Sequence, residues 1–463
     1  MTLLDLWPLM PLLILVCGSL VILLCGAVLP GRYGTVVGVV ACLGAALWAL
    51  QVPPQTTLPA LGVAFTPFSR LFIVLFMVTA AITLLLSHDY LCRPGMNGEE
   101  YPATILFAAF GMTVLVSSAT LLNLFLGLES LTFAFYILVA YDRTRPTSAE
   151  AGLKYLLLGA ISAAFIAFGI ALIYAGSGTL YITGAAGAAL TGPTLAGWGF
   201  LLAGLAFKIS LVPAHLWTPD VYQGAPTPVV AFLSTGSKGA AIAFLLLLLP
   251  HLAALGPLRL PLWLLAFLSM TVGNLAALLQ PNLKRLLAYS SVAQMGYVAL
   301  ALLSGERGYE AAAFYAVAYT AMNLAAFGVI ASLEKTGSRE LVEDYRGLGY
   351  RQPVHGAVLA LAMFALAGIP PTVGFAGKFA IFFAAIRSGE VALAVIGILT
   401  AATSAYYYLR VVVNLYMRSA AGEGEGEAPT VPEAAALALA SLAIVALGIY
   451  PAPLFDLVAA VLR

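Results

Sequence analysis

The 463-residue chain has six lysines, and four of them, Lys154, Lys208, Lys238 and Lys378, fall inside long apolar runs. None of its fifteen arginines lies deep in such a run. That sorting has chemical content, because arginine stays protonated under any accessible condition whereas a buried lysine can lose its proton. A site that needs only fixed positive charge could use either residue; a site that exchanges protons needs lysine. One acid, Glu129, stands near the middle of an apolar run, Leu124 to Leu131. Ionisable groups inside a membrane span are costly enough that function is their default reading.

A carboxylate in hydrocarbon needs a cationic partner, and the in-span lysines are the available ones. At ~5 Å and an effective dielectric near 20, such a pair is worth about 3 kcal/mol. Burial drives a lysine toward its neutral form, and a neighbouring carboxylate opposes that. Moving the acid would therefore toggle the base. An apolar helix expected over Gly199 to Val212 carries Lys208, ahead of the break Pro213-Ala214-His215-Leu216-Trp217-Thr218-Pro219-Asp220. His215 lies seven residues on, two turns along the same face if helical geometry persists. Ser234 and Ser237 flank Lys238 and would extend a proton wire.

Plainer readings stand beside these. Glu129 with a lysine also suits a structural ion pair, since such networks perturb titration too. His215 could be a packing residue. Lys154 follows Glu150 by four residues, the spacing of a helix-surface pair. Asp220, between Pro219 and a new helix, reads as a cap or turn residue. Lys284-Arg285 reads as a positive anchor at a membrane face.

The elements that must position these residues are apolar. With 62% hydrophobic and 9% charged residues, the chain has too little polar surface for a soluble globule. Apolar runs of about 20 residues recur from end to end, so we expect an all-α polytopic membrane protein of one membrane domain. Fourteen spans are expected, near 8–28, 34–50, 67–87, 102–118, 120–141, 150–175, a broken 197–220, 223–249, 261–279, 283–303, 309–332, a broken 354–387, 390–417 and 434–460. Turn-rich connectors such as Val52-Pro53-Pro54-Gln55 separate them. The acidic, glycine-rich Gly422 to Glu427 reads as a flexible loop.

The second break, Ala367-Gly368-Ile369-Pro370-Pro371-Thr372, precedes Lys378 as the first follows Lys208. Paired interrupted helices mark inverted repeats in transporters. The expected halves are 102–249 and 261–417, after three N-terminal helices within 1–101 and before a last helix at 434–460. With an external N-terminus, twelve basic residues collect in cytoplasmic connectors and five outside, which places both termini outside. The first run has Asp5 and no basic residue before it, and reads as a span rather than a removed signal peptide. Cys17, Cys25, Cys42 and Cys92 are scattered without metal or redox spacing. The net charge of +1 speaks against nucleic acid as a partner.

The run Phe207-Lys208 through His215-Leu216-Trp217-Thr218-Pro219-Asp220-Val221-Tyr222-Gln223-Gly224-Ala225-Pro226-Thr227-Pro228 resembles the antiporter-like membrane subunits of respiratory complex I, most closely subunit N, the relative of mitochondrial subunit 2. Asn282 to Ser291 and Gly368 to Thr372 are similar to further motifs of that family. The resemblance covers most of the chain and implies fourteen helices, with inverted repeats over helices 4–8 and 9–13. It implies proton-transfer roles for Glu129, Lys208, Lys238 and Lys378, and accessory roles for Lys154 and His215. Lys378 favours N or L over M, where glutamate is typical, and the chain stops without the lateral helix that L would require. The loop Gly422 to Glu427 matches no family motif.

The expected function is proton translocation in the bacterial inner membrane, as a subunit of a proton-pumping NADH–quinone oxidoreductase. Neighbouring membrane subunits would be its partners. No cofactor is expected on this chain, with quinone, flavin and iron–sulfur clusters on partner subunits. The alternatives are a membrane subunit of a multi-component Na+/H+ antiporter and a scaffold without transport. The orientation is directly testable. A cysteine at Ser338 should react only with reagents that reach the cytoplasm and one at Gly187 only from outside; labelling from the opposite sides would reverse the assignment.

Overall fold

The computed structural model describes residues 7–28, 33–96, 98–251, 255–334, 339–419 and 428–462. The loop Gly422 to Glu427, together with Asp5, Arg32, Lys335, Ser338 and Arg463, lies outside the described residues.

Long apolar sequence with no water to satisfy its amides must close its hydrogen bonds within each segment, and helices do so. In chain order these are α1 (Met10–Val28), α2 (Gly34–Gln51), α3 (Pro67–Ser87), α4 (Glu100–Val116), α5 (Leu121–Val139), α6 (Pro146–Ser177) and α7 (Gly192–Lys208). The short α8 (Trp217–Gly224) precedes α9 (Thr227–Phe232), a π-helical turn at Leu233–Ser237, and α10 (Lys238–Leu248). Then come α11 (Leu255–Leu278), α12 (Leu283–Leu302), α13 (Gly305–Leu333), α14 (Pro353–Ala367), α15 (Val373–Arg387), α16 (Val391–Met417), α17 (Val431–Ile449) and α18 (Ala452–Leu462). Among the described residues, ten helices are long and apolar enough to cross a membrane. Large apolar side chains such as Leu24, Val36, Leu126, Leu275 and Leu442 point outward along them, as lipid contact permits.

The protein forms two compact units. One comprises residues up to Leu84, Pro94–Ile209 and Gly236–Arg259; the other comprises Leu85–Arg93, Ser210–Thr235 and Leu260 onward. In the first unit α6 packs along α7 and α4 along α5. The α6–α7 contact depends on small residues, since a Cβ at Gly197 would sit 2.7 Å from the Gly169 carbonyl oxygen. Close backbone approach of this kind is how membrane helices gain packing contacts. In the second unit α13 is the hub, packed by α9, α12, α14, α15, α17 and α18. Side-chain caps start several helices: Thr120 Oγ1 accepts from Asn123 N–H, and Asn282 Oδ1 from Arg285 N–H.

Three expectations are corrected. The chain is not wholly helical, because Thr56–Leu58 and Val63–Phe65 pair as an antiparallel hairpin, with Thr56 opposite Phe65. The helix before the first break ends at Lys208 rather than Val212. Pro213 has no amide to continue the ladder, and Ser210 already adopts a left-handed φ of 66°. The final run, expected as one span, divides into α17 and α18 at Tyr450-Pro451 for the same reason.

Gly197→Val should force α6 from α7 at a cost of about 1–3 kcal/mol, the usual range for overpacking. A lowered melting temperature of the purified protein would register it; an unchanged one would mean the helices can part freely.

Candidate functional site

In the first unit the last residue of α7 reaches across to the middle of α5. Lys208 Nζ lies 3.3 Å from Glu129 Oε1 and donates to Thr132 Oγ1 at 2.8 Å. Glu129 and Thr132 are three apart on α5, hence on one face. The Lys208 side chain is 1% exposed and that of Glu129 12%. Screening water is therefore nearly excluded, and a pair at this separation carries about 5 kcal/mol of attraction at an effective dielectric of 20, before desolvation. Thr132 itself donates to the Leu128 carbonyl at 2.6 Å, so its oxygen is turned to accept from the ammonium. The Tyr136 hydroxyl, one turn further along α5, is buried without a hydrogen-bond partner among the described residues. Its ring stands edge-on to Tyr155, 5.2 Å between centroids.

Lys238 opens α10, fully enclosed at 1% exposure, in a helix that packs on α4, α5 and α7. The π turn before it carries Ser234, whose hydroxyl donates back to the Ala231 carbonyl at 3.0 Å. π turns insert one extra residue and recur at functional positions. Lys154 is placed differently. Its ammonium lies 2.8 Å from Glu150 one turn earlier on α6, with both side chains well exposed.

His215 belongs to the second unit, in the irregular stretch between α7 and α8. It does not share a helical face with Lys208, contrary to the simplest reading of their spacing, because the helix has already ended. Its ring is buried, 6.3 Å from that of Tyr289, and its Nδ1 lacks a hydrogen-bond partner among the described residues. The break is held by its own polar groups: Val212 N–H donates to Ser269 Oγ at 2.9 Å, and Thr218 Oγ1 to Ser210 Oγ at 2.8 Å.

Lys378 lies on α15, beyond the second break, and folds back onto it. Its ammonium donates to the carbonyls of Leu366 at 2.7 Å and Ala367 at 3.3 Å, at the end of α14. These are carbonyls that a helix terminus leaves without amide partners. Gly368 makes the approach possible, with φ of +87° and a Cβ position only 3.1 Å from Lys378 Cδ. The Tyr297 ring centroid is 5.4 Å from Nζ, a cation–π distance. Among the described residues no carboxylate forms an ion pair with Lys378.

The structure adds a cluster in the second unit that was not visible in the sequence. Lys284, 3% exposed, pairs with Glu334 at 3.1 Å, and Arg93 lies 3.7 Å from the same carboxylate. Thr227 and Tyr90 donate to Glu334 at 2.8 and 2.9 Å. The neighbouring Arg285 turns the other way, to Asp220 at 2.7 Å and Gln223 at 3.0 Å. Adjacent helical residues diverge by about 100°, so one member of a basic pair can point inward while the other points out. The partners lie far apart in the chain, which leaves no local signal. Among the described residues no group of three or more His, Cys, Asp or Glu could hold a metal ion.

The fold and these sites define a polytopic helical membrane protein with ionisable groups held between its helices. The family described as "NADH:quinone oxidoreductase/Mrp antiporter, TM" matches residues 118–404, and the chain belongs to it. It is 70% identical to the NADH-quinone oxidoreductase subunit N of Geobacter metallireducens over 466 residues, with 100% of each chain covered. Among solved structures it is similar to a chain of respiratory complex I from Thermus thermophilus, at 37% identity and a TM-score of 0.83, covering 97% of this chain and 100% of that one. A chain of the Mrp complex from Dietzia shares the fold at 19% identity, with a TM-score of 0.85 and coverage of 100% and 97%.

Glu334 lies just past the end of α13. Burial pushes its carboxyl up, but Lys284, Thr227 and Tyr90 outweigh burial and hold it below the ordinary range. A depressed carboxylate contributes stability above its unfolded value, near 4.3, and loses that contribution as pH falls through the folded value. Glu334→Gln should therefore flatten the acid limb of melting temperature against pH. It should also cost about 3–5 kcal/mol at neutral pH by leaving Lys284 buried without its carboxylate. A variant with the parental acid limb would exclude Glu334 from acid unfolding.

Proposed function

We propose that this chain is a proton-translocating membrane subunit of an NADH–quinone oxidoreductase, moving protons while electrons pass through other subunits. The observation that carries the reading is the Lys208–Glu129 pair with Thr132, enclosed between α5 and α7. A charged pair of this kind is a poor way to add stability, because desolvation offsets most of its attraction. It is a good way to make a proton's position depend on helix spacing. The 70% identity to a protein named NADH-quinone oxidoreductase subunit N over its whole length supports the assignment to that complex.

On this reading Glu129, Lys208, Lys238 and Lys378 carry the proton, and Lys154 and His215 are accessory. The architecture is fourteen spans with inverted repeats over 102–249 and 261–417, each containing one broken helix, and both termini on the periplasmic side of a bacterial inner membrane. Quinone, flavin and iron–sulfur clusters reside on partner subunits, and neighbouring membrane subunits flank this one. The fold shared with a chain of the Mrp complex keeps one second reading in play, a subunit of a multi-component Na+/H+ antiporter.

Lys208→Ala should lower quinone reductase activity and proton pumping together, at least ~10-fold if the lysine is obligatory, which corresponds to about 1.4 kcal/mol or more on the barrier. Complex assembly should be unchanged. Lys208→Arg should fail to rescue, because arginine keeps its proton. Normal coupled turnover in an assembled Lys208→Ala complex would remove Lys208 from the path. Full rescue by arginine would reduce the pair to a structural one.

A further inference from the structure

The two broken helices solve the same problem with different partners. In the first unit Lys208 meets a carboxylate, Glu129. In the second, the side chain nearest to playing that part is an amide. Gln294 on α12 is 1% exposed, and its Nε2 donates to the Leu366 carbonyl at 3.3 Å, the same oxygen that accepts from Lys378 at 2.7 Å. Its second Nε2 hydrogen goes to Tyr408 Oη on α16 at 3.1 Å. Its Oε1 accepts from Tyr315 on α13 through a short hydrogen bond, and Tyr408 is joined in turn to Ser290.

Three of the amide's four hydrogen-bonding directions are thus used, both donors and one of the two acceptor sites on Oε1. An ionised carboxylate could not replace it, since it has no donor for Leu366 or Tyr408. It would also set a fixed negative charge beside the lysine.

We propose that Gln294 is the positioning partner of Lys378, a neutral amide that shares the Leu366 carbonyl with the lysine and must stay uncharged for the lysine to release and retake its proton. The inference rests on the reading of Lys378 as a proton carrier. Among the described residues the polar partners of Lys378 are the Leu366 and Ala367 carbonyls and the Tyr297 ring, and no carboxylate pairs with it. The amide orients the carbonyl and links it to the hydroxyls of Tyr315, Tyr408 and Ser290, an uncharged chain able to pass hydrogen bonds along.

The test uses membranes carrying the whole assembled complex, with proton uptake measured per NADH oxidised. Gln294→Glu is nearly isosteric and should leave complex abundance at the parental level. It should cut proton uptake about tenfold at about pH 7.5, and regain it relative to the parent as the medium is taken toward about pH 6 and the new carboxyl is neutralised. The titratable groups facing the position are Lys378 from α15, Tyr315 from α13, Tyr408 from α16 and Tyr297 of α12 itself. Tyrosines ordinarily titrate near 10, so a recovery in that window belongs to the introduced acid and its lysine. Gln294→Leu should lose about threefold at every pH, and if it fails to assemble, Tyr315→Phe, which strips the amide of one partner, should lose in the same sense. Parental uptake in Gln294→Glu overturns the proposal. Equal, pH-independent losses in the Glu and Leu variants also overturn it, by reducing Gln294 to packing. Lys378→Ala separates the two levels of the argument. Parental uptake there sinks the functional reading of Lys378 itself, whereas a loss there beside a fully active Gln294→Glu sinks only the role of the amide.

Discussion

A charge that has left water must be met by something else, and in this protein the answer differs from site to site. Lys208 is met by a carboxylate and a hydroxyl from one neighbouring helix, α5. Lys284 is met by Glu334, itself held by two hydroxyl donors. Lys378 is met by carbonyls that the chain exposes by breaking its own helix. The desolvation of an ammonium in protein still costs several kcal/mol after relaxation, so none of these arrangements is optional where the lysine is enclosed. Much of the surrounding architecture can be understood as the means of supplying those partners.

The breaks follow from that demand. An unbroken helix commits its interior carbonyls to its own amides and leaves a side chain only their second lone pair, whereas a helix end leaves carbonyls with no amide partner. Gly368, at φ +87°, ends α14 and leaves the Leu366 and Ala367 carbonyls turned toward α15. The first break works in the opposite sense: α7 stops at the lysine itself, the Val212 amide is taken up by Ser269, and the Thr218 and Ser210 hydroxyls bond to each other. In the first unit Gly169 and Gly197 let α6 and α7 approach backbone to backbone.

Some of this was legible in the residues and some was not. The helical membrane character was, because an apolar run of about 20 residues has few alternatives, and ten helices among the described residues are long and apolar enough to span. The Lys208–Glu129 pair was legible by chemistry, since a lone acid in hydrocarbon must find one of very few cations. The second break was readable from Gly368 and two prolines. The condition under which Lys208 and His215 would share a helical face is not met, since the helix ends at Lys208 and Ser210 is left-handed. Lys284-Arg285 looked like a surface anchor because its inward partner, Glu334, is fifty residues away and sits at a helix end. Gln294 gave no signal at all. A glutamine in an apolar helix is unremarkable until the carbonyl it shares with a lysine from another helix is seen.

The different partners make the two lysines respond to different motions. The Lys208 pair joins separate helices, so its energy depends on the distance between α5 and α7. Widening that contact from 3.3 Å to ~6 Å would weaken the attraction from about 5 to about 3 kcal/mol at an effective dielectric of 20. A change of about 2 kcal/mol is roughly a thirtyfold shift in an equilibrium. Lys378 is instead bound to the terminus of the helix segment that precedes its own, and a rigid displacement of neighbours leaves those carbonyls where they are. A change in the break, in the amide that shares its carbonyl or in the Tyr297 ring is what alters its surroundings. A helix shift therefore acts on the paired lysine first, and the lysine at the second break answers to local rearrangement of Gly368, Leu366 and Gln294.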